Sequence, residues 1–461
     1  MTEHRVDDPY TGEVACSIPT TDTKTVDRTL EEARKAARAL RSMKVADRVA
    51  LTERALVAFE KRADEIAADI TKQMGKPLGQ AKGEVKGMAG RWRHMQAIAE
   101  ASLADVVLEP KEGFDRRIRK DPLGVVLDLP AWNYPLLTAV NAIVPAVLAG
   151  NAVVVKHAPR TPLCAEHFAR AFREAGADAG VVSAIFLDYD GTEKLVGDTR
   201  IDHVLFTGSV HGGHRIQAAA RERFLHVGLE LGGNDPAYVA ADCDLKNTVE
   251  NVVDGAIYNA GQSCCAVERV YVHESVYGDF LAAAEPLVRA YVMGDPRDEK
   301  TSLGPIAQPW HPKELEAFIA DATSKGARVV CGGKATAVNG KGRFFEATMI
   351  ENVPQNADLM QKESFGPILA IAKVASDDDA LARMNDSSLG LTASVWTQDK
   401  DRAERLARAL DFGTVYMNRC DALDPALPWT GAKDSGRGVT LSSLGFDALT
   451  RPKAIHFRLT F

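Results

Sequence analysis

Val204-Leu205-Phe206-Thr207-Gly208-Ser209 is an apolar, strand-like run that ends in a glycine-serine turn, with Gly212-Gly213 just after it. A strand that feeds a helix through such a turn is the repeating unit of parallel α/β layers with right-handed crossovers. The turn also brings backbone N–H groups and the positive end of a helix dipole to one place, where a phosphate can be held. Glycine turns between strands and helices are common, so the segment alone is equally compatible with a structural role. Outward from it the alternation repeats. Val153-Val154-Val155 reads as a strand and residues 165–174 as a helix, and Val270-Tyr271-Val272 and Arg328-Val329-Val330 are further buried-strand candidates. In the first hundred residues Leu56, Phe59, Ala63, Ile66, Ile70 and Met74 recur at steps of three and four. That spacing predicts one apolar helical face, ended by Gly75 and Pro77.

The chain has 461 residues, more than a single core usually holds, so two or three structural units are expected. Its net charge is −7 and no strongly basic block occurs, which argues against a nucleic-acid surface. The apolar stretch 136–155 is interrupted by Asn141, Pro145, Gly150 and Asn151, so it reads as a buried helix and strand and not as a membrane span. Seven cysteines show no CxxC or CxH spacing, so neither a metal site nor a disulfide framework is expected. The odd count and the polar start, Met-Thr-Glu-His-Arg-Val-Asp-Asp, point to a reducing cytoplasm.

The chemistry-bearing segments are Glu230-Leu231-Gly232-Gly233 and Gly261-Gln262-Ser263-Cys264-Cys265-Ala266. Together they offer a thiol nucleophile in an accessible, glycine-led turn and a carboxylate base, the minimum equipment for covalent attack on a carbonyl carbon. Taken alone, Cys264 and Cys265 read more readily as small core residues, which is what free cysteines usually are. With their spacing, the two segments resemble the aldehyde dehydrogenase superfamily, nearest to its short bacterial NAD(P)-dependent (semi)aldehyde dehydrogenases. The resemblance implies Cys264 as nucleophile and Glu230 as the base for the deacylating water. It extends to Pro122 through Pro135, where Asn133 becomes the oxyanion donor and Ala131 stands in place of the family's proline before Trp132. It also covers the turn after Phe206, the lysine Lys156, and Glu363-Ser364-Phe365-Gly366-Pro367.

The resemblance implies an α/β fold with two Rossmann-like parallel-sheet domains and a small oligomerisation hairpin. The expected division is 1–103 and 123–229 for cofactor binding, 230–438 for catalysis, and 104–122 with 439–461 for oligomerisation into a homodimer or homotetramer. Trp132, Lys156, Phe206, Gly208, Ser209, Leu231, Gly232, Glu363 and Phe365 are the implied cofactor residues. Tyr134, Thr138, Asn141, Asp421, Leu423 and Trp429 are the implied substrate residues. His157-Ala158-Pro159 follows Lys156 where strictly NAD-dependent relatives carry P-S-E, so the carboxylate that repels a 2′-phosphate is missing. Both NAD and NADP are therefore expected, with His157 and Arg160 as candidate aids to NADP.

Asn141 occupies the position at which succinate-semialdehyde enzymes place an arginine. Asparagine cannot replace that charge, and Asp421 opposes an anion unless Arg419 neutralises it, so a neutral or mildly polar aldehyde is the expected substrate. The alternatives are a succinate-semialdehyde-type dehydrogenase, a coenzyme-A-acylating aldehyde dehydrogenase, and a non-catalytic structural relative.

Overall fold

The structure, a computed structural model, describes residues 3–460; Met1 and Thr2 of the polar start and Phe461 of the expected tail strand lie outside the described residues. The alternating pattern folds into two open sheets. The first has six strands in the order Gly436–Arg437, His226–Glu230, His203–Thr207, Val125–Leu129, Ala152–Val155, Val182–Ala184. All neighbours pair in parallel except Gly436–Arg437, which joins the edge antiparallel. The chain order reverses at Val125–Leu129, so a crevice opens beyond the carboxyl ends of that strand and His203–Thr207. Val125–Leu129 and Ala152–Val155 are buried throughout, as strands covered on both faces are.

The second sheet has seven strands, in the order Arg328–Cys331, Thr348–Glu351, Ile368–Val374, Val267–His273, Asp235–Val239, Thr392–Trp396, Thr414–Met417. Arg328–Cys331 is the correction here. It is an antiparallel edge strand with Arg328 exposed and its two valines half-buried, because only Thr348–Glu351 covers it on one side. Buried apolar side chains fall into two clusters, one drawn mainly from Leu30 to Leu231 and one from Ala237 to Leu410.

The apolar face from Leu56 to Met74 is also built differently from its spacing. Leu56, Phe59, Ile66, Ile70 and Met74 are fully buried, but the chain breaks between the helices Val45–Glu60 and Ala63–Met74. Arg62, at φ −113° and ψ 19°, leaves helical geometry and donates from its buried guanidinium to the His167 carbonyl of the Leu163–Glu174 helix. Tertiary anchoring overrides propensity at this point. Gly75, at φ +82°, ends the second helix as expected. Residues 136–155 form the helix Pro135–Ala149 and the strand Ala152–Val155, and no described helix is long and apolar enough to cross a membrane.

Thr450–Arg458, Phe114–Pro122 and Val106–Val107 form a separate three-stranded antiparallel sheet. Val107, Phe457 and Leu459 are exposed on it or beside it.

Candidate active site

Glu230 is the last residue of an edge-side strand of the first sheet, and Cys264 lies in the connection that enters Val267–His273 of the second. The two sheets thus meet at the carboxyl end of one and the amino end of the other. The turn before Cys264 is held in an unusual backbone conformation. Asn259, Ala260 and Gly261 have φ of +55°, +56° and +66°. For the two non-glycine residues this costs on the order of 1–3 kcal/mol each. Asn259 is held there by its side-chain amide, which donates to the carbonyls of Asn133 at 3.2 Å and Gln262 at 3.0 Å. Gly261 has no alternative, since a Cβ at that position would lie 2.0 Å from the Gly366 carbonyl oxygen. Gly233 is equally constrained, with the Cys264 carbonyl oxygen 2.2 Å from where its Cβ would sit.

Asn133 is buried and its Nδ2 donates to the Gln262 carbonyl at 3.2 Å, which fixes the amide beside the nucleophile loop. The Cys264 N–H makes no hydrogen bond among the described residues. The Asn133 amide beside the loop and the unengaged backbone N–H on it are the donor set that a developing oxyanion requires. Ala131 in place of proline leaves this arrangement intact. The Glu230 carboxylate accepts from the Thr440 hydroxyl and, at 3.4 Å, from Thr207 Oγ1. Burial pushes its pKa up to about 7, against the lowering effects of Thr440, Arg91 and Thr207. A carboxyl group poised there changes charge near neutral pH, where general-base catalysis works best.

The cofactor candidates converge on the crevice of the first sheet. Ser209 caps the Val210–Ala219 helix by accepting from the Gly212 N–H at 3.1 Å, so that helix points its amino end at the switch point. Gly208 approaches the Phe206 ring, 2.6 Å from where a Cβ would stand. Lys156 follows Ala152–Val155 and is buried; burial lowers its pKa to about 8, with Asp188 opposing. Across the crevice Glu363 accepts from the Gly233 N–H at 3.0 Å, and a Cβ on Gly232 would lie 2.3 Å from the Glu363 carboxylate. Trp132 and Phe365 meet edge to face with centroids 5.6 Å apart. Glu268, which sequence reasoning missed, clamps this loop by accepting from the Ser364 and Phe365 N–H groups. Leu231 lines the neighbouring cavity. Glycine cradles, a capped helix end and a strand-end lysine fit a dinucleotide.

His157 and Arg160 do not join them. His157 is buried, with its ring nitrogens engaged by the Pro135 carbonyl at 3.0 Å and Thr161 Oγ1 at 3.1 Å, and burial pushes its pKa down to about 4. Arg160 is ion-paired with Asp7 and donates to the Asp7 carbonyl.

A cavity of about 230 Å³ gathers Asn133, Glu230 and Cys264 together with all six substrate candidates, Tyr134, Thr138, Asn141, Asp421, Leu423 and Trp429. Asp421 is not paired with Arg419. Its Oδ1 accepts from Cys265 Sγ at 2.9 Å and from Ser263 Oγ at 3.2 Å, and burial raises its pKa to about 6.

Sequence reasoning missed the opposite wall, the helix Leu78–Ser102, which contributes Gln80, Gly83, Glu84 and Arg91. Glu84 accepts from the Leu136 N–H at 2.8 Å and so caps a helix that has no side-chain cap of its own. Its charge is balanced by the fully buried Lys76, which also lies 3.8 Å from the Tyr134 ring centroid. No spacing signal connects Glu84 to residue 136 in the sequence. Its role rests on helix docking.

The aldehyde dehydrogenase family model matches residues 2–455. An aldehyde dehydrogenase of Paenarthrobacter nicotinovorans is 35% identical over 451 residues, covering 97% of this chain and 98% of the relative. The succinate semialdehyde dehydrogenase [NAD(P)+] Sad of Escherichia coli is 34% identical, covering 95% and 94%. The solved structure of lactaldehyde dehydrogenase from Escherichia coli superposes with a TM-score of 0.95 at 29% identity, covering 99% of this chain and 96% of that one.

Proposed function

This chain belongs to the aldehyde dehydrogenase family, and on that premise we propose that Cys264, Glu230 and Asn133 perform its reaction. The enzyme is an NAD(P)-dependent aldehyde dehydrogenase, an α/β protein with two Rossmann-like parallel sheets. Its reaction converts an aldehyde to a carboxylic acid through a cysteine thiohemiacetal and a thioester, the mechanism general to the family.

In the proposed assignment, Cys264 sulfur attacks the aldehyde carbon, while Asn133 Nδ2 and the Cys264 N–H hold the resulting oxyanion. Bound NAD(P) supplies the hydride acceptor. Lys156, Ser209 and the turn at Gly208 hold the dinucleotide on the first-sheet side, with Phe206 beneath the turn. Trp132, Leu231, Gly232, Glu363 and Phe365 frame its reactive end. Glu230 then takes a proton from water, the resulting hydroxide adds to the thioester carbon, and the C–S bond breaks to release the carboxylic acid and the Cys264 thiolate. The observation that carries this assignment is the shared cavity of Cys264, Asn133 and Glu230. Retention of Glu230 favours water over coenzyme A as the acyl acceptor, and the intact triad disfavours a non-catalytic relative.

The Escherichia coli relative is named for succinate semialdehyde. Asn141 by itself supplies no charge for such a substrate.

The division at 1–103 and 123–229, 230–438, and 104–122 with 439–461 is kept as a proposal, with Gly436–Arg437 returning to the first sheet. The exposed apolar side chains on the third sheet support a homodimer or homotetramer joined there. Seven free cysteines support a cytoplasmic location.

The test is reduced-cofactor formation over an aldehyde panel with NAD and NADP. Turnover that is lost in Cys264→Ala, and in Glu230→Gln leaves a stoichiometric burst with slow hydrolysis, supports the assignment. Cys264→Ala with undiminished turnover would remove it.

A further inference from the structure

Among the residues that line the cavity with Cys264, Arg91 is the one cation. It comes from the middle of the Leu78–Ser102 helix and reaches the cavity where that helix packs on Pro135–Ala149. A single nitrogen, Nη1, tethers it by donating to the Leu137 carbonyl at 3.0 Å and to Asn141 Oδ1 at 3.1 Å. Among the described residues Arg91 forms no ion pair, and its Nε and Nη2 make no hydrogen bond. That is an uncommon state for a guanidinium away from open solvent, because a desolvated cation is costly unless a counter-charge completes it. The nearby acids do not complete it. Glu230, whose charge Arg91 feels without touching it, accepts from Thr440 and Thr207, Glu84 is paired with Lys76, and Asp421 is held against Cys265 and Ser263 on the nucleophile side. Asn141, buried and polar, accepts from Nη1 and leaves the other two nitrogens of the fork unengaged.

We propose that Arg91, oriented by Asn141, is the specificity residue of this enzyme, and that it reads a carboxylate at the far end of a short aldehyde whose carbonyl carbon lies at Cys264. The inference rests on the aldehyde-oxidation reading of the same cavity and names its substrate class. The cation that relatives carry on the helix after W-N-F-P is supplied here from a neighbouring helix, and the asparagine at 141 is its tether. A planar fork with one edge pinned and the other free matches a carboxylate in a way that a lysine does not. No step of the chemistry changes.

The test compares a short ω-carboxy aldehyde with its ω-carboxamide of equal length, a pair alike in shape and different in charge. Wild type is expected to favour the carboxylate in kcat/KM. In Arg91→Gln the ratio of the two kcat/KM values is expected to fall by about 10- to 100-fold, the loss associated with hydrogen bonds to a charged group. Arg91→Lys is expected to restore part of the ratio, and Asn141→Ala to lower it through KM.

A wild-type preference for the carboxamide overturns the proposal. So does an equal loss on both substrates in Arg91→Gln, which would place the effect on Glu230 and not on the substrate. Should Arg91→Gln fail to fold, a saturated dicarboxylate of the same length is the second probe. Inhibition of wild type competitive with aldehyde supports the proposal, and absence of inhibition overturns it. Carboxamide turnover that disappears in Cys264→Ala keeps the oxidation reading standing even where the carboxylate reading fails.

Discussion

Replacing Thr440 with valine should move the pH dependence of thioester hydrolysis upward while leaving the attack step nearly intact. The Thr440 hydroxyl donates to Glu230 Oε1, and burial, the dominant influence on Glu230, already holds its pKa at about 7. The hydroxyl stabilises the ionised form, so its loss raises the pKa further. A hydrogen bond to a charged group contributes about 1.5–3 kcal/mol, and one pKa unit corresponds to about 1.36 kcal/mol. The acid limb should therefore move up by about 1–2 units. Because the base acts only when ionised, hydrolysis rises with pH through its pKa; at pH 7 the variant should be slower by about 5- to 50-fold and should recover in alkaline buffer.

The assay is stopped-flow formation of reduced cofactor, in which a burst of acylation precedes steady hydrolysis. In the variant at pH 7 the burst should remain and the steady phase should slow. Thr207→Val, which removes the longer bond at 3.4 Å, should produce a smaller shift in the same direction. An acid limb that stays in place or moves to lower pH, or a lost burst with unchanged hydrolysis, would refute this account of Glu230.

Lys76→Met should destabilise the protein by about 3–5 kcal/mol in chemical denaturation, because it leaves the buried Glu84 unpaired; Lys76→Met with Glu84→Gln should recover part of the loss. Gly261→Ala should retain the far-ultraviolet circular dichroism of the wild type and lose about 100-fold in kcat, the effect expected when a nucleophile shifts by roughly 1 Å. Neither His157→Ala nor Arg160→Gln should alter the ratio of KM values for NADP and NAD, since both side chains are engaged elsewhere. Asp7 is partly buried, which raises its pKa, but Arg343 and Arg160 outweigh burial and lower it to about 2. Its stabilising contribution is therefore present above its ordinary value of 3.8 and lost as pH falls toward 2, and Asp7→Asn should unfold at higher pH in an acid titration.

What was legible in the sequence was the part of the site whose backbone admits few residue types. Gly261 and Gly233 touch other main chain, Glu230 ends a strand, and Asn133 sits in the turn between Val125–Leu129 and the Pro135–Ala149 helix, so their motifs are short fixed strings. Trp429 and Leu423, read only by position in the last loop, line the same cavity as Cys264. Arg91 was not legible, because a charged residue in an amphipathic helix ordinarily belongs to a solvated face. Its entry into the cavity depends on how two helices dock, and no local pattern encodes that. The same limit explains Arg62, whose anchor to His167 interrupts a helix that the apolar spacing ran straight through. It also explains Arg328, where a β-branched run gave no indication that it would lie at a sheet edge. Asn141 was read by what it lacks, and the hydrogen bond it accepts from Arg91 became visible only in three dimensions.

The contact between Gly261 and the Gly366 carbonyl divides the cavity into a fixed jaw and a replaceable one. On the fixed side, the turn that presents the nucleophile and the loop that frames the cofactor share one wall of main chain, and neither can be rebuilt without moving the other. The other side consists of side chains from two helices and the loop at 421–429, which meets the catalytic side where Asp421 accepts from Ser263 and Cys265 and where Trp429 pairs with the Thr440 main chain. Redesign for a new aldehyde can therefore begin at Thr138, Leu423 and the Arg91–Asn141 pair changed together, while the catalytic side tolerates almost no change.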